Sequence, residues 1–210
     1  MSIPTSFNPL GTLGGGLPHG WREVDAVYFD GATVLDSGVA ARTGYKVHMQ
    51  FELLDLSVDR SVFSYLYGSG NTRVYYGAHS PNSGYYVGRA NYYQTQVRIS
   101  TNELDWVSVL GADDTYGSIN GTSYSLGQKG VLDYSPDTLA LGGLKLYGST
   151  PTAGIKMNFK RLTVETEDGG HLIADLRAVE NANTGEASVF DFVSRSFLQP
   201  LIGSVKPVQG

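Results

Sequence analysis

The stretch "GIKMNFKRLTVET" (residues 154–166) alternates apolar and polar side chains, which is the pattern of a β-strand with one buried face. The apolar residues of this pattern are Ile155, Met157, Phe159, Leu162 and Val164. The phase of the alternation changes between the third and the fourth of them. Because neighbouring residues of a strand point to opposite faces, an extra residue is needed to keep all five on one face. The sequence therefore predicts a strand with a bulge or bend near Lys160-Arg161.

Similar short runs recur from Trp21 onward. In "YKVHMQFEL" (45–53), apolar residues at 47, 49 and 51 alternate with polar residues at 46, 48 and 50. About a dozen such runs, roughly ten residues apart and separated by turn residues, indicate a sandwich or jelly roll. No window shows a convincing apolar stripe of helical period. We therefore predict one all-β domain, a β-sandwich, over residues 21–210.

The first 20 residues have a different composition. They contain Pro4, Pro9, Pro18 and the run Gly14-Gly15-Gly16, which predict an extended arm (residues 1–20) before the domain. They carry neither the basic nor the apolar segment of a signal peptide, and no apolar run approaches the roughly 18 residues of a membrane span. We expect no cleaved signal and no membrane insertion.

Charge and cysteine content narrow the classes of partner. A net charge of −5 gives no support for a nucleic-acid partner, which would require a basic face. The absence of cysteine excludes disulfides and thiolate metal sites.

Both ends of the predicted domain carry a recognisable pattern. The segment "LPHGWREVDAVYFDGATVLDSGV" (17–39) resembles the opening of concanavalin A-like (laminin G-like) domains of phage and gut-bacterial surface proteins. The matching positions are Leu17, Pro18, Gly20, Trp21, Tyr28, Phe29, Asp30, Gly31, Asp36, Ser37 and Gly38. The segment "TGEASVFDFVSRSFLQP" (184–200) is similar to the closing segment of that family. Its matching positions are Gly185, Glu186, Phe190, Asp191, Val193 and Phe197.

The resemblance implies a jelly-roll sandwich of two antiparallel sheets, and it implies a function. Many members are non-catalytic parts of phage tails, fibres, baseplates and capsid decorations, and known ligands of the wider fold are mainly carbohydrates. We therefore expect a non-enzymatic bacteriophage virion protein, assembled in the host cytoplasm. Its expected partners are other virion proteins, copies of itself and host-surface glycans. The alternative is a lectin or adhesin module whose main role is glycan capture.

A catalytic function was considered because the fold also hosts glycoside hydrolases. These require two carboxylates across the scissile bond, and alternate residues of one strand can supply them. The nearest candidate pair is Glu103 and Asp105 in "NELDWVSV". The hydrolases of this fold carry a further glutamate two or three residues after the aspartate, and here those positions are Val107 and Ser108, so the catalytic pair is incomplete. We expect no enzymatic activity.

Metal ligation has equally little support. The four histidines are scattered, without the paired spacing of a zinc site. Asp113 and Asp114 in "GADDTYGSING" (111–121) are weak calcium candidates, and a solvated acidic turn explains them as well. We expect no cofactor. Asn120-Gly121 predicts a hairpin turn rather than a glycosylation site.

The strongest candidate contact surface is rich in tyrosine. The segment "RVYYGAHSPNSGYYVGRANYYQ" (73–94) contains three Tyr-Tyr doublets, and alternation places the two members of a doublet on opposite faces of a strand. If these strands are neighbours, one member of each doublet joins a cross-strand row. The candidate residues are Arg73, Tyr75, Tyr76, Tyr85, Tyr86, Arg89, Tyr92 and Tyr93. Such a row suits a saccharide, a protein interface or ordinary strand packing.

Overall fold

Every regular element in the described part of the chain is a β-strand. The computed structural model describes residues 16–40, 42, 44–54, 60–66, 73–78, 85–89, 94–97, 103–110, 115–125, 138–144, 152–153 and 156–208, with the strands between 60 and 97 described by their backbone pairing. No α-helix occurs in these ranges, and none of their residues forms a helix able to span a membrane. The all-β prediction is confirmed.

The described residues form twenty strands, more than the dozen expected, because several short strands lie outside the alternating runs. They are β1 (Trp21–Glu23), β2 (Val27–Asp30), β3 (Val34–Ala40), β4 (Tyr45–Leu53), β5 (Arg60–Leu66), β6 (Arg73–Ala78), β7 (Tyr85–Arg89), β8 (Gln94–Val97), β9 (Glu103–Leu110), β10 (Thr115–Ile119), β11 (Thr122–Ser125), β12 (Thr138–Leu141), β13 (Gly143–Leu144), β14 (Thr152–Ala153), β15 (Lys156–Thr166), β16 (Leu172–Asn181), β17 (Ala187–Asp191), β18 (Ser196–Phe197), β19 (Gln199–Ile202) and β20 (Lys206–Pro207).

These strands form two large antiparallel sheets. The first sheet has the order β11-β10-β9-β4-β15-β16-β17-β18, with β1 paired to β16 and with β2 paired to both β15 and β20. The second has the order β19-β3-β12-β5-β6-β7-β8, and β13 pairs with β14 separately. The prediction of two antiparallel sheets is therefore confirmed.

Strand β15 is the centre of the first sheet. Strand β4 pairs along one side of it, while β2 and then β16 pair along the other. Its register to β4 shifts between Phe159 and Arg161, which is the predicted bulge. Met157, Phe159, Leu162 and Val164 are all fully buried as a result. Ile155, the first apolar residue of the pattern, lies outside the described residues.

The hydrophobic core lies between the two sheets. Strands β4, β9, β15 and β16 of the first sheet contribute to it, and β3 and β12 of the second sheet close it. The contributions of the second sheet include Leu35, Val39, Leu139 and Leu141. In β4 the buried residues are Val47, Met49, Phe51 and Leu53, as the alternation predicted. Each fully buried aliphatic or aromatic side chain contributes about 1.5–3 kcal/mol.

The two ends of the domain meet in space. Strand β1 and strand β17 both pair with β16, and β19 pairs with β3. The glycines of the two recognised segments, Gly20, Gly31, Gly38 and Gly185, all have a positive φ. This backbone conformation is typical of tight turns, and glycine adopts it without steric cost.

The predicted arm is described only at its end. Residues 1–15 lie outside the described residues, and Gly20 is attached to the domain because its carbonyl oxygen accepts a hydrogen bond of 2.7 Å from the backbone N–H of Ala182.

Gly142 supports a testable prediction about close packing. It follows β12 with φ +86°, and a Cβ atom there would lie 2.5 Å from Cδ1 of the buried Phe29 and 2.7 Å from the carbonyl oxygen of Thr33. We expect Gly142→Ala to lower the free energy of unfolding by about 3 kcal/mol, through backbone strain and overpacking. Urea denaturation measures this loss. The control is Gly121→Ala, where φ is +79° but nothing lies within 4 Å. Its expected loss is about 1 kcal/mol, and equal losses in the two variants would contradict the packing argument.

Candidate functional site

The first sheet turns a polar face away from the core. On β4 and β15 the residues that alternate with buried ones are polar or charged, and Glu103 and Asp105 of β9 continue this surface beside the apolar Val107. We call the polar part of this surface the polar face. It consists of Lys46, His48, Gln50, Glu52, Glu103, Asp105, Asn158, Lys160, Arg161, Thr163 and Glu165. Most of its charged groups are paired with one another across strands, for example Lys46 Nζ with Glu165 Oε1 at 2.6 Å.

The bulge in β15 places two cations next to each other on this face. Lys160 extends over β4 to Glu103 on β9, with 3.4 Å between Nζ and Oε1. Arg161 turns the other way and binds Asp175 on β16, with Nε–Oδ1 at 2.8 Å and Nη2–Oδ2 at 3.0 Å. A regular strand would have placed these neighbours on opposite faces.

Two open grooves cross the polar face and share one residue, Gln50. The acidic groove has a volume of about 500 Å³, and its polar lining is Gln50, Glu103, Asp105, Asn120 and Lys160. The arginine groove has a volume of about 280 Å³, and its polar lining is His48, Gln50, Arg161, Thr163 and Glu165. Volumes of this size suit small polar ligands.

Asn120 fixes the wall of the acidic groove. Its Oδ1 accepts a hydrogen bond of 2.8 Å from the backbone N–H of Asp105, and its Nδ2 donates one of 3.1 Å to the carbonyl of Glu103. Asn120 has a φ of +49° and Gly121 one of +79°, and the pair joins β10 to β11. The predicted hairpin turn is confirmed. The Asp105 carboxylate in turn binds Nε2 of His48.

Asp175 is the centre of the charge network beside the arginine groove. It is only 3% exposed and accepts hydrogen bonds from both Arg161 and Arg177. Burial raises the pKa of Asp175, but the hydrogen bonds from Arg177 and Arg161 outweigh burial and hold that pKa below its ordinary value. Arg177 also donates from Nη1 to both carboxylate oxygens of Glu23 on β1, at 3.1 and 3.0 Å. The orientation of Arg161 is therefore fixed by three strands.

A second apolar cluster covers the outward side of the sheet near β17. The rings of Trp21 and Phe197 are 4.5 Å apart between centroids, and Phe190 contacts Phe197 at 5.0 Å. The guanidinium of Arg177 lies 4.3 Å from the centroid of Phe192. This cluster joins the opening and closing segments of the domain.

The structure brings the predicted tyrosine strands together. Strands β6, β7 and β8 are consecutive neighbours, so the condition for a cross-strand row is met by the backbone. The register divides the candidate residues between two faces of the second sheet. One face carries Leu141, Phe63, Tyr76, Tyr85, Val87 and Arg89. The other carries Arg73, Tyr75 and Tyr86. Because Leu141 belongs to the core, the second set lies on the face turned away from it.

Four other candidates lie outside the described residues: Tyr92, Tyr93, Asp113 and Asp114. Among the residues that the structure does describe, no three His, Asp or Glu side chains are grouped to hold a metal ion.

The sequence did not predict the polar face as a candidate site. The sequence predicts Glu103 and Asp105 as a pair, but their partners Lys160 and His48 come from other strands. The available signal was the bulge, because two adjacent cations at a phase change must emerge on one face.

Comparison with known proteins adds no relative: a scan of protein-family models and a search of curated proteins both find nothing that matches this chain. The functional argument therefore depends on the residues and their geometry.

The charge network supports a prediction about pH. Because the folded-state pKa of Asp175 is lowered, its ionised form stabilises the protein at neutral pH, and this contribution is lost as pH falls below about 4. We expect Asp175→Asn to cost about 2–3 kcal/mol at pH 7 and clearly less at pH 3. Denaturation at several pH values measures this difference.

A matched control is Arg22→Gln, which removes an ion pair of 3.5 Å whose arginine side chain is 63% exposed. Its expected cost is below about 1 kcal/mol. An equal cost of Asp175→Asn at both pH values would contradict a role of the ionised carboxylate.

Proposed function

We propose that this chain is a non-enzymatic bacteriophage virion protein, on the tail, fibre, baseplate or capsid, that displays a concanavalin A-like jelly-roll domain and contacts host-surface saccharides through its polar face. The virion assignment is supported by the resemblance of segments 17–39 and 184–200 to that family. In agreement with a shared motif, Asp36 accepts from the backbone N–H of Gly38, and Asp191 accepts from those of Val193 and Ser194.

The observation that carries the saccharide contact is the pair of grooves that meet at Gln50. Saccharide hydroxyl groups both donate and accept hydrogen bonds, so a site for them needs amides, carboxylates and cations close together. Gln50, Asn120, Glu103 and Lys160 supply these groups in the acidic groove. Since most charges on this face are paired within it, a neutral polar ligand meets little net charge.

A lectin whose main role is glycan capture is favoured by one further observation. Tyr75 and Tyr86 belong to the outward face of two neighbouring strands, together with Arg73. A face that carries two tyrosines and an arginine has a composition that suits a saccharide, so the second sheet offers a second candidate contact surface.

Absence of catalysis belongs to the same proposal. Glu103 and Asp105 share one face of β9, but Glu103 is paired with Lys160, and Asp105 is hydrogen-bonded to Nε2 of His48. A glycosidase requires one carboxyl group free to deliver a proton and another opposite it. Release of reducing ends from any glycan by the purified protein would contradict this part.

Glycan-array binding tests the contact and locates it. We expect labelled wild-type protein to bind a subset of glycans and Gln50→Ala to weaken that binding about fivefold or more, because an amide shared by both grooves is lost. The matched variant on the other sheet is the double change Tyr75→Ala and Tyr86→Ala. Loss of binding only in the tyrosine variant would move the contact to the second sheet and favour the lectin. If neither the wild-type protein nor the variants bind any glycan, the saccharide contact is contradicted and only the virion function remains.

Incorporation into particles tests the virion function. We expect the protein to be found in purified phage particles by mass spectrometry, and removal of residues 1–15 to abolish incorporation while β1 and Gly20 remain in place. Circular dichroism of the truncated protein is the control for folding. Unchanged incorporation of the truncated chain would contradict anchoring through the arm.

A further inference from the structure

The arginine groove contains an arginine edge that the protein itself does not use. Arg161 gives Nε and Nη2 to Asp175, and its side chain is 45% exposed. Within the described part of the chain, the adjacent edge formed by Nη1 and Nη2 has no second acceptor. A guanidinium edge of this kind matches a planar carboxylate with two parallel hydrogen bonds.

Neighbouring polar groups converge on the same groove. The side chains of Gln50 and Thr163 are half-buried and, among the described residues, make no hydrogen bond to the protein. Both line the groove with Arg161. An amide N–H and a hydroxyl beside the guanidinium edge can complete the hydrogen bonds of a carboxylate and of the hydroxyl next to it.

The charges around the groove limit the ligand to a single negative charge. Glu165 lines the groove, and Lys46 binds its carboxylate at 2.6 Å. The carboxylate of Asp105 is hydrogen-bonded to Nε2 of His48. A monoanion therefore meets paired acids, whereas a phosphate, with a charge of about −1.5 to −2, meets stronger repulsion from Glu165.

We propose that the arginine groove is a carboxylate-binding subsite for an acidic saccharide of the uronic acid class, anchored by Arg161. This proposal rests on the proposed saccharide contact and names the sugar class for that site. The carboxylate lies against the Nη1–Nη2 edge of Arg161, and Gln50 bridges to the acidic groove, where the rest of the saccharide binds. Asp175 is a positioning residue, because it orients Arg161 without lining the groove.

The test compares two sugars that differ only in the carboxylate. D-glucuronate and D-glucose are titrated into nitrogen-15-labelled full-length protein, with the Nε–H resonance of Arg161 and the side-chain amide of Gln50 as readouts. We expect D-glucuronate to shift both signals, with an affinity at least about tenfold above that of D-glucose. N-acetylglutamate and glucose 6-phosphate are the competing anions, and we expect both to bind more weakly than D-glucuronate.

Variants distinguish recognition by the planar guanidinium edge of Arg161 from attraction by its positive charge alone. Arg161→Lys keeps the charge but loses the planar edge. We therefore expect its affinity for D-glucuronate to fall at least about fivefold. Thr163→Val, outside the Asp175 network, is expected to weaken binding without loss of fold, which thermal denaturation checks. Arg22→Gln is the control, since this exposed arginine pairs with Glu180 and is not part of the lining of either groove, and the affinity of this variant for D-glucuronate should be unchanged.

Each remaining outcome has a defined meaning. Equal affinity for D-glucuronate and D-glucose, or full binding by Arg161→Lys, overturns the subsite, although a positive glycan array would leave the proposed function standing. Equal or tighter binding of N-acetylglutamate or glucose 6-phosphate overturns the sugar class. A negative array together with D-glucuronate shifts at Arg161 supports the subsite while the host-glycan function fails.

Discussion

The bulge at Lys160-Arg161 is the constraint on which the rest of the first sheet depends. Strand β15 pairs with three other strands and must bury Met157 and Phe159 before the bulge and Leu162 and Val164 after it. A regular strand would expose the last two, at about 1.5–3 kcal/mol each, and would turn Arg161 into the core. The extra residue avoids both costs, and it is also the reason why two cations stand side by side over the grooves.

A network of hydrogen bonds connects the polar face to buried carboxylates. The buried carboxylate of Asp191 accepts from the backbone N–H groups of Val193 and Ser194 and from that of Asp175. Asp175 then holds Arg161 and Arg177, and Arg177 is held by Glu23 and by the ring of Phe192. Removing one partner of a buried ion pair costs far more than removing an exposed pair. The exposed end of this network is the Arg161 side chain, whose position is therefore decided several residues away from the groove.

The sequence predicted what depends on alternation and turn chemistry. The buried residues of β4 and β15, the bulge, and the Asn120-Gly121 hairpin all follow from local rules, because faces and turns are set by neighbouring residues. It could not predict the grooves. Lys160 and Glu103 are 57 residues apart, as are His48 and Asp105, and their contact depends on the order β9-β4-β15. Alternation assigns a residue to a face of a strand but not to a neighbouring strand. Alternation also predicted that the doublets divide between two faces, and the register adds which residues of β6 and β7 share a face.

The junction between the two ends of the domain has a consequence for synthesis of the chain. The hydroxyl of Thr33 donates to the carbonyl of Ser204, 171 residues further on, and β2 is covered at its edge by β20. The opening strands therefore cannot complete their pairing until the residues up to 207 have been synthesised. Such non-local pairing folds slowly and exposes the nascent chain to aggregation.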